Sequence, residues 1–190
     1  FRKLGVGDPF HIILYSRNGP QWSARLWWML RAVGFDKVSI LDGGFNEWER
    51  LDFITSNINL SFPASNLTFQ PRTDIFVNKD MVKEAINDNG TKILNSLTSD
   101  IHSGNNPRYG RRGRIPNSLN IPFHELLVSE TGKFRNIKEL SKLFSDNKIE
   151  KHYKILNYCG GGIAASLEAF VLHQLGYENI MIYDNSLSEW

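Results

Sequence analysis

Ile155-Leu156-Asn157-Tyr158-Cys159-Gly160-Gly161-Gly162-Ile163-Ala164-Ala165-Ser166 is the stretch that decides the fold. Its first residues form a short apolar run of the kind that makes a buried strand. The only cysteine of the chain follows, then three glycines, then a helix-period segment with Ile163, Leu167, Phe170, Val171 and Leu175 on one face. Strand, tight loop and helix start make an α/β unit. The first N–H groups of a helix have no internal acceptor and carry partial positive charge, so a thiol among them is favoured as thiolate. Glycines allow that backbone to fold with its amides facing one point. A lone cysteine is more often a small buried hydrophobe. At the carboxyl end of a strand, however, it stands on the usual ligand edge of a parallel sheet, which favours a nucleophilic sulfur in an anion-binding cradle.

A second copy of this pattern lies near the start. Leu14-Tyr15-Ser16, then Gly34-Phe35-Asp36-Lys37-Val38-Ser39-Ile40-Leu41-Asp42 and Glu47-Trp48, echo Leu156-Asn157-Tyr158-Cys159, then Gly176-Tyr177-Glu178-Asn179-Ile180-Met181-Ile182-Tyr183-Asp184 and Glu189-Trp190. Gly34 and Gly176 are 142 positions apart, as are Trp48 and Trp190, whereas Tyr15 and Tyr158 are 143 apart, so the intervening loops differ by one residue. Two such copies predict two α/β lobes. The first has Ser16 where the second has Cys159, and Arg17-Asn18-Gly19-Pro20 in place of the glycines. Without an adjacent base a serine stays protonated, so the first lobe reads as silent.

Between the copies the texture changes. In 49–73, Asn57, Asn59, Pro63, Asn66 and Pro71 interrupt Phe53, Leu60, Phe62 and Phe69 without helical period, which predicts an extended linker burying its aromatics as it crosses. Asn78 then caps a helix bearing Met81, Val82, Ala85 and Ile86, and a strand follows at 92–95. The loop from Ser103 to Arg114 is rich in glycine and arginine. Beyond it, 115–122 reads as a short strand bracketed by Pro116 and Pro122, and Asn136 with Glu139 gives a capping box for a helix with Ile137, Leu140, Leu143 and Phe144. Guanidinium forks of Arg108, Arg111 and Arg112 near a sulfur nucleophile would hold an anion; a solvated basic face is the competing reading.

The chain has 190 residues, 41% of them hydrophobic, and a formal charge of +2, enough for one medium or two small domains and too little charge to argue for nucleic acid. It shows no bilayer-length apolar run and no basic-then-apolar leader at Phe1, which leaves room for an upstream start because no methionine opens it. One cysteine excludes an internal disulfide and suits a reducing compartment. His11, His102, His124, His152 and His173 show no ligand spacing, so no metal is expected. Trp22, Trp27, Trp28, Trp48 and Trp190 read as core or lobe-interface packing in preference to a ligand cage.

These motifs resemble the tandem rhodanese-type sulfurtransferases of the thiosulfate or 3-mercaptopyruvate class. The resemblance rests on Tyr15, Gly34, Asp42-Gly43-Gly44-Phe45 and Trp48 in the first lobe. In the second it rests on Tyr109 to Pro122, Tyr158 to Ser166 and Tyr183 to Trp190. It implies a rhodanese-like parallel sheet flanked by helices: residues 1–55 as the C-terminal half of an inactive rhodanese-like domain, 56–73 as linker, and 74–190 as a complete catalytic domain. It implies further that Cys159 takes a sulfane sulfur as a persulfide, cradled by the amides of Gly160, Gly161, Gly162, Ile163 and Ala164, with Arg108, Arg111 and Arg112 as candidate donor-binding groups. The donor would be a small anion, and the acceptor a thiol, cyanide or carrier protein, with no cofactor, metal, nucleic acid or membrane and a cytoplasmic setting. Three departures stand out. The active loop carries neither the basic residues of thiosulfate-preferring members nor the serine and threonine of mercaptopyruvate enzymes. Asn95-Ser96-Leu97 replaces the family's aspartate-x-arginine, and Ile101 replaces a further arginine. A dual-specificity phosphatase would need arginine at Ala165, so the alternative carried forward is a non-catalytic rhodanese-like binding module.

Overall fold

The computed structural model describes residues 1–190. In chain order its elements are β1 (Ile12–Leu14), α1 (Gln21–Ala32), β2 (Val38–Ile40), α2 (Gly44–Arg50), β3 (Phe76–Val77), α3 (Lys79–Ala85), β4 (Thr91–Asn95), α4 (Ser99–His102), β5 (Leu119–Asn120), α5 (Ile137–Asp146), β6 (Lys154–Tyr158), α6 (Ile163–Gln174), β7 (Ile180–Tyr183) and α7 (Ser186–Glu189). Single 3₁₀ turns occupy Arg2–Leu4 and Phe123–Leu126. β1 and β2 pair in parallel as a two-stranded sheet, while the other five strands form a parallel sheet in the order β3-β7-β6-β4-β5. Parallel pairing demands crossover connections, and α1 and α6 supply them for β1-β2 and β6-β7.

The repeated pattern is thus a repeated structure. α1 and α6 each run twelve residues, and each gives way to a left-handed glycine, Gly34 at φ 93° and Gly176 at φ 82°. The two helices pack against each other and join the lobes through one apolar core. Trp27, Trp28 and Leu30 from α1 meet Ala165, Leu167, Ala169 and Phe170 from α6. The Trp27 ring stands edge-on to Trp28 and Phe170, and the Trp28 Nε1–H donates to the Ser166 carbonyl at 3.1 Å. These two tryptophans are packing residues, whereas Trp22 and Trp48 are exposed. With β6 and β7 on one side and α1 on the other, α6 is buried continuously from Ala164 to Leu172, not along a single face. A smaller core on the other side of the large sheet gathers Val77, Val82, Ile93, Ile115, Leu156, Tyr158 and Tyr183.

Helix starts follow their capping chemistry. The Asn78 side chain accepts from the Met81 N–H, and Asn136 with Glu139 closes a reciprocal capping box on α5. The crossing stretch is extended as expected, but it does not bury its aromatics. Phe53, Leu60, Phe62 and Phe69 stay exposed, and Leu67 is its buried apolar residue. What holds it is polar. The N–H groups of Gln70 and Arg72 donate to Val33 O and Ala32 O at the end of α1, and Arg72 forms a two-pronged pair with Asp36. No helix is long and apolar enough to cross a membrane.

Candidate active site

β6 is a central strand with Asn157 and Tyr158 fully buried, and Cys159 is the first residue beyond it. From there the chain turns through Gly160 and Gly161 to Gly162, which caps α6 at φ 79°. Only glycine fits position 162 without strain, because a Cβ would lie 2.7 Å from the Asp184 carbonyl oxygen as well as in a left-handed conformation. The N–H groups of Gly160, Gly161, Gly162, Ile163, Ala164 and Ala165 find no acceptor in the protein. Those of Gly160, Gly162, Ala164 and Ala165 belong to buried residues. Buried amides left unpaired are unfavourable in a folded chain, and a run of them at a helix start is an anion-binding concavity.

The loop is fastened from behind. The Cys159 N–H donates to Ser186 Oγ at 3.0 Å, and Ser186 Oγ donates on to the Tyr183 carbonyl. The Leu187 N–H donates to Cys159 O, and both the N–H and the hydroxyl of Ser188 donate to Gly160 O. Ser186 holds this position with φ 50°, a left-handed conformation that a serine adopts at some expense. From the first lobe Arg25 pairs with Asp184 and lays its guanidinium over the Phe76 ring. The same Asp184 carbonyl backs Gly162.

Cys159 differs from expectation in one respect. A nucleophilic sulfur in an anion-binding cradle calls for access, yet the residue is 2% exposed and counts among the apolar core. The Tyr109 ring lies against the adjacent Gly160, and the turn that carries Leu187 bonds to the Cys159 carbonyl. Burial pushes the Tyr109 phenol pKa up; Arg108 opposes the rise and Cys159 adds to it.

The arginine loop does reach the sheet edge that carries Cys159. Its exit is anchored at Tyr158, whose hydroxyl accepts from the Ile115 N–H and from Asn95 Nδ2 and lies 2.9 Å from Ser118 Oγ. Arg111 and Arg112 line a small cavity of about 50 Å³ with Tyr109, Arg114, Leu187 and Trp190; Cys159 is not in its wall. Both guanidinium groups are exposed and partly engaged, Arg111 with the Trp190 carbonyl and Arg112 with the carbonyls of Gly104 and Asn105. Arg108 lies 5.9 Å from the Tyr109 ring centre.

Several supporting residues carry no clear sequence signal. Asn95 ties the Leu97 N–H through Oδ1, and Asn120 Nδ2 donates to Asn95 O and Leu97 O, so this segment is structural. Ile101 is buried packing. Glu168, inside α6, is fully buried; Ser96 Oγ donates to its Oε2, and Oε1 has no partner. Burial raises its carboxyl to about 8, against the Ser96 hydrogen bond, so it is largely protonated at neutral pH. His102, half-buried beside Arg114, is held down at about 4 by burial and then by that charge. No group of three or more histidine, cysteine or acidic side chains is placed to hold a metal ion.

Comparison with known proteins places the family and the fold. The rhodanese-like domain family model matches residues 3–51 and 78–190. The chain is 32% identical over 194 residues to 3-mercaptopyruvate sulfurtransferase of Escherichia coli, covering 100% of this chain and 68% of that protein. It is 32% identical to the Homo sapiens enzyme of the same name, covering 99% of this chain and 65% of that one. Among solved structures, the crystal structure of SseA from Escherichia coli superposes with a TM-score of 0.84 at 30% identity, over 97% of this chain and 70% of the other. The anaerobic ergothioneine biosynthesis enzyme from Chlorobium limicola superposes with a TM-score of 0.89 over 100% of this chain and 51% of the other, at 18% identity, a likeness of fold.

Proposed function

We propose, since this chain belongs to the rhodanese-like domain family and its relatives are sulfurtransferases, that it moves a sulfane sulfur from a small anionic donor to a thiophilic acceptor through Cys159. The observation that carries this reading is the run of six unpaired amides from Gly160 to Ala165 next to the only thiol of the chain. That run favours the negative charge of a donor bound beside the sulfur. The thiolate attacks the outer sulfur of thiosulfate. Its S–S bond breaks with the electron pair leaving on sulfite, and Cys159 becomes a persulfide. With a mercaptopyruvate-type donor the pair leaves on carbon, which a proton then quenches. A thiol or cyanide attacks the outer sulfur and restores the thiolate. Within these 190 residues no other cysteine can resolve the persulfide, and the acceptor is read as a separate thiol, cyanide or carrier protein. Arg108, Arg111 and Arg112 hold the donor's charge at the entrance. The matching domain reading is 1–55 as the latter half of a silent rhodanese-like domain, 56–73 as linker and 74–190 as the catalytic domain, in a cytoplasmic setting.

The test is intact mass after incubation with thiosulfate or 3-mercaptopyruvate. The chain should gain one sulfur atom, and Cys159→Ser should gain none; a gain that survives the substitution removes Cys159 from the reaction. The burial of Cys159 favours a second reading, a non-catalytic binding module. That reading takes over if neither donor adds sulfur to the wild-type chain.

A further inference from the structure

Tyr109 is the aromatic side chain of the arginine loop, and its ring fills the space that Gly160 leaves. A Cβ at position 160 would fall on the ring atoms Cζ and Cε1 and on the hydroxyl. Gly160 does not have a positive φ, so its own backbone does not call for glycine as that of Gly162 does. What calls for glycine is Tyr109. The phenol hydroxyl sits over the first residue of the unpaired amide run, and no protein group accepts from it or donates to it. Beyond the ring lies the small cavity of Arg111, Arg112 and Arg114. Tyr109 therefore stands between the guanidinium groups and the cysteine loop. Burial favours the neutral phenol, so the group remains a hydrogen-bond donor through neutral pH.

We infer that Tyr109 contacts the substrate and determines specificity. Its ring covers the Cys159 loop, and its hydroxyl donates a hydrogen bond to the anion that the loop amides bind. Gly160 is the partner that makes room for it. The inference rests on the sulfur-transfer reading for its substrate, but it is testable without sulfur transfer. Alkylation of Cys159 by neutral iodoacetamide measures access, and the rate with iodoacetate relative to iodoacetamide measures stabilisation of an anion at the site. Tyr109→Phe keeps the cover and removes the donor. The neutral rate should hold, and the iodoacetate-to-iodoacetamide ratio should fall roughly tenfold, the scale of one hydrogen bond to a charged group. Tyr109→Ala should speed the neutral reaction. With thiosulfate as donor, Tyr109→Phe should raise KM more than it lowers kcat. Gly160→Ala should disturb the loop in the wild-type background and much less beside Tyr109→Ala, a coupling that thermal melting reads directly. An unchanged ratio in Tyr109→Phe, or a Gly160→Ala effect equal in both backgrounds, would overturn the inference. Failure of the sulfur-transfer reading shows separately, as a wild-type chain that gains no sulfur.

Discussion

The two copies of the strand-loop-helix unit share a backbone frame and differ in what the frame encloses. In the first, the Phe45 N–H donates to Ser16 O and the Asn46 side chain donates to Arg17 O. In the second, at the offsets read from the sequence, the Leu187 N–H donates to Cys159 O and the Ser188 hydroxyl to Gly160 O. Even the left-handed turn is kept, at Gly44 with φ 59° and at Ser186 with φ 50°. The contents diverge. Ser16 turns its hydroxyl back onto Gly19 O, Arg17 folds away onto Glu49, and Pro20 has no N–H to offer. Asn18 faces solvent, whereas the amides around Cys159 are largely buried and unpaired. The same frame can thus enclose different residues, because the bonds that hold the turn are made by its backbone and by side chains outside the Ser16 and Cys159 positions.

The largest break in this comparison should come at the left-handed glycine in the loop before each helix. Gly162→Ala forces a Cβ against the Asp184 carbonyl at positive φ, with a destabilisation of about 1–3 kcal/mol. It also displaces the amides beside Cys159, so sulfur transfer should fall roughly hundredfold. Gly19→Ala in the first copy is also at positive φ, but it meets a flexible Gln21 side chain; melting should shift a little and transfer should not. Equal losses of transfer in the two variants would remove the distinction between the copies.

The second contrast lies inside the helices, where Glu168 of α6 corresponds to Leu26 of α1 at the 142-residue offset. The carboxyl is raised from 4.5 to about 8 on folding, so between those values the folded chain binds more protons than the unfolded one. Stability from the protonated form is complete below about pH 4.5 and is lost as pH rises toward 8. Glu168→Gln, which mimics the protonated group, should match wild type near pH 4.5 and exceed it near pH 8 by on the order of a few kcal/mol in urea unfolding. A flat difference across that range would dismiss the buried proton.

The smallest effect sharpens the match between Gly44 and Ser186. Ser186→Ala leaves the Cys159 N–H buried without an acceptor and should destabilise by about 1–3 kcal/mol. Ser186→Gly loses the same bond but relieves the left-handed turn, so it should be milder by about 1 kcal/mol in denaturant midpoints.

Much of this arrangement was legible in the chain itself. The repeat spacing gave both βαβ units, and Asn78, Asn136 and Glu139 gave helix starts, because capping and periodicity are local properties. The packing of Tyr109 against Gly160 was not legible, since Tyr109 comes from a loop 50 residues earlier and nothing near the cysteine announces it. The continuous burial of α6 was hidden for the same reason: α1, distant in sequence, packs along it, and Ala165, Ala169 and Leu172, outside the periodic stripe, are buried as well. Phe53, Leu60, Phe62 and Phe69 misled in the opposite sense. Apolar residues predict burial only where some surface meets them, and here the crossing stretch is held by backbone hydrogen bonds and Arg72.

That polar fastening at Gln70 and Arg72 also bears on what connects the lobes. The tether leaves α2 through exposed residues and touches down again on the end of α1, within the lobe it started from, before it reaches β3. Cohesion between the halves therefore resides in the tryptophan-lined seam of α1 and α6, with the Arg25–Asp184 and Lys133–Glu47 ion pairs and the Phe134 N–H to Asp42 bond beside it. The covalent path does little more than keep the halves at high mutual concentration. A chain nicked by a protease in that exposed stretch would still be a single particle.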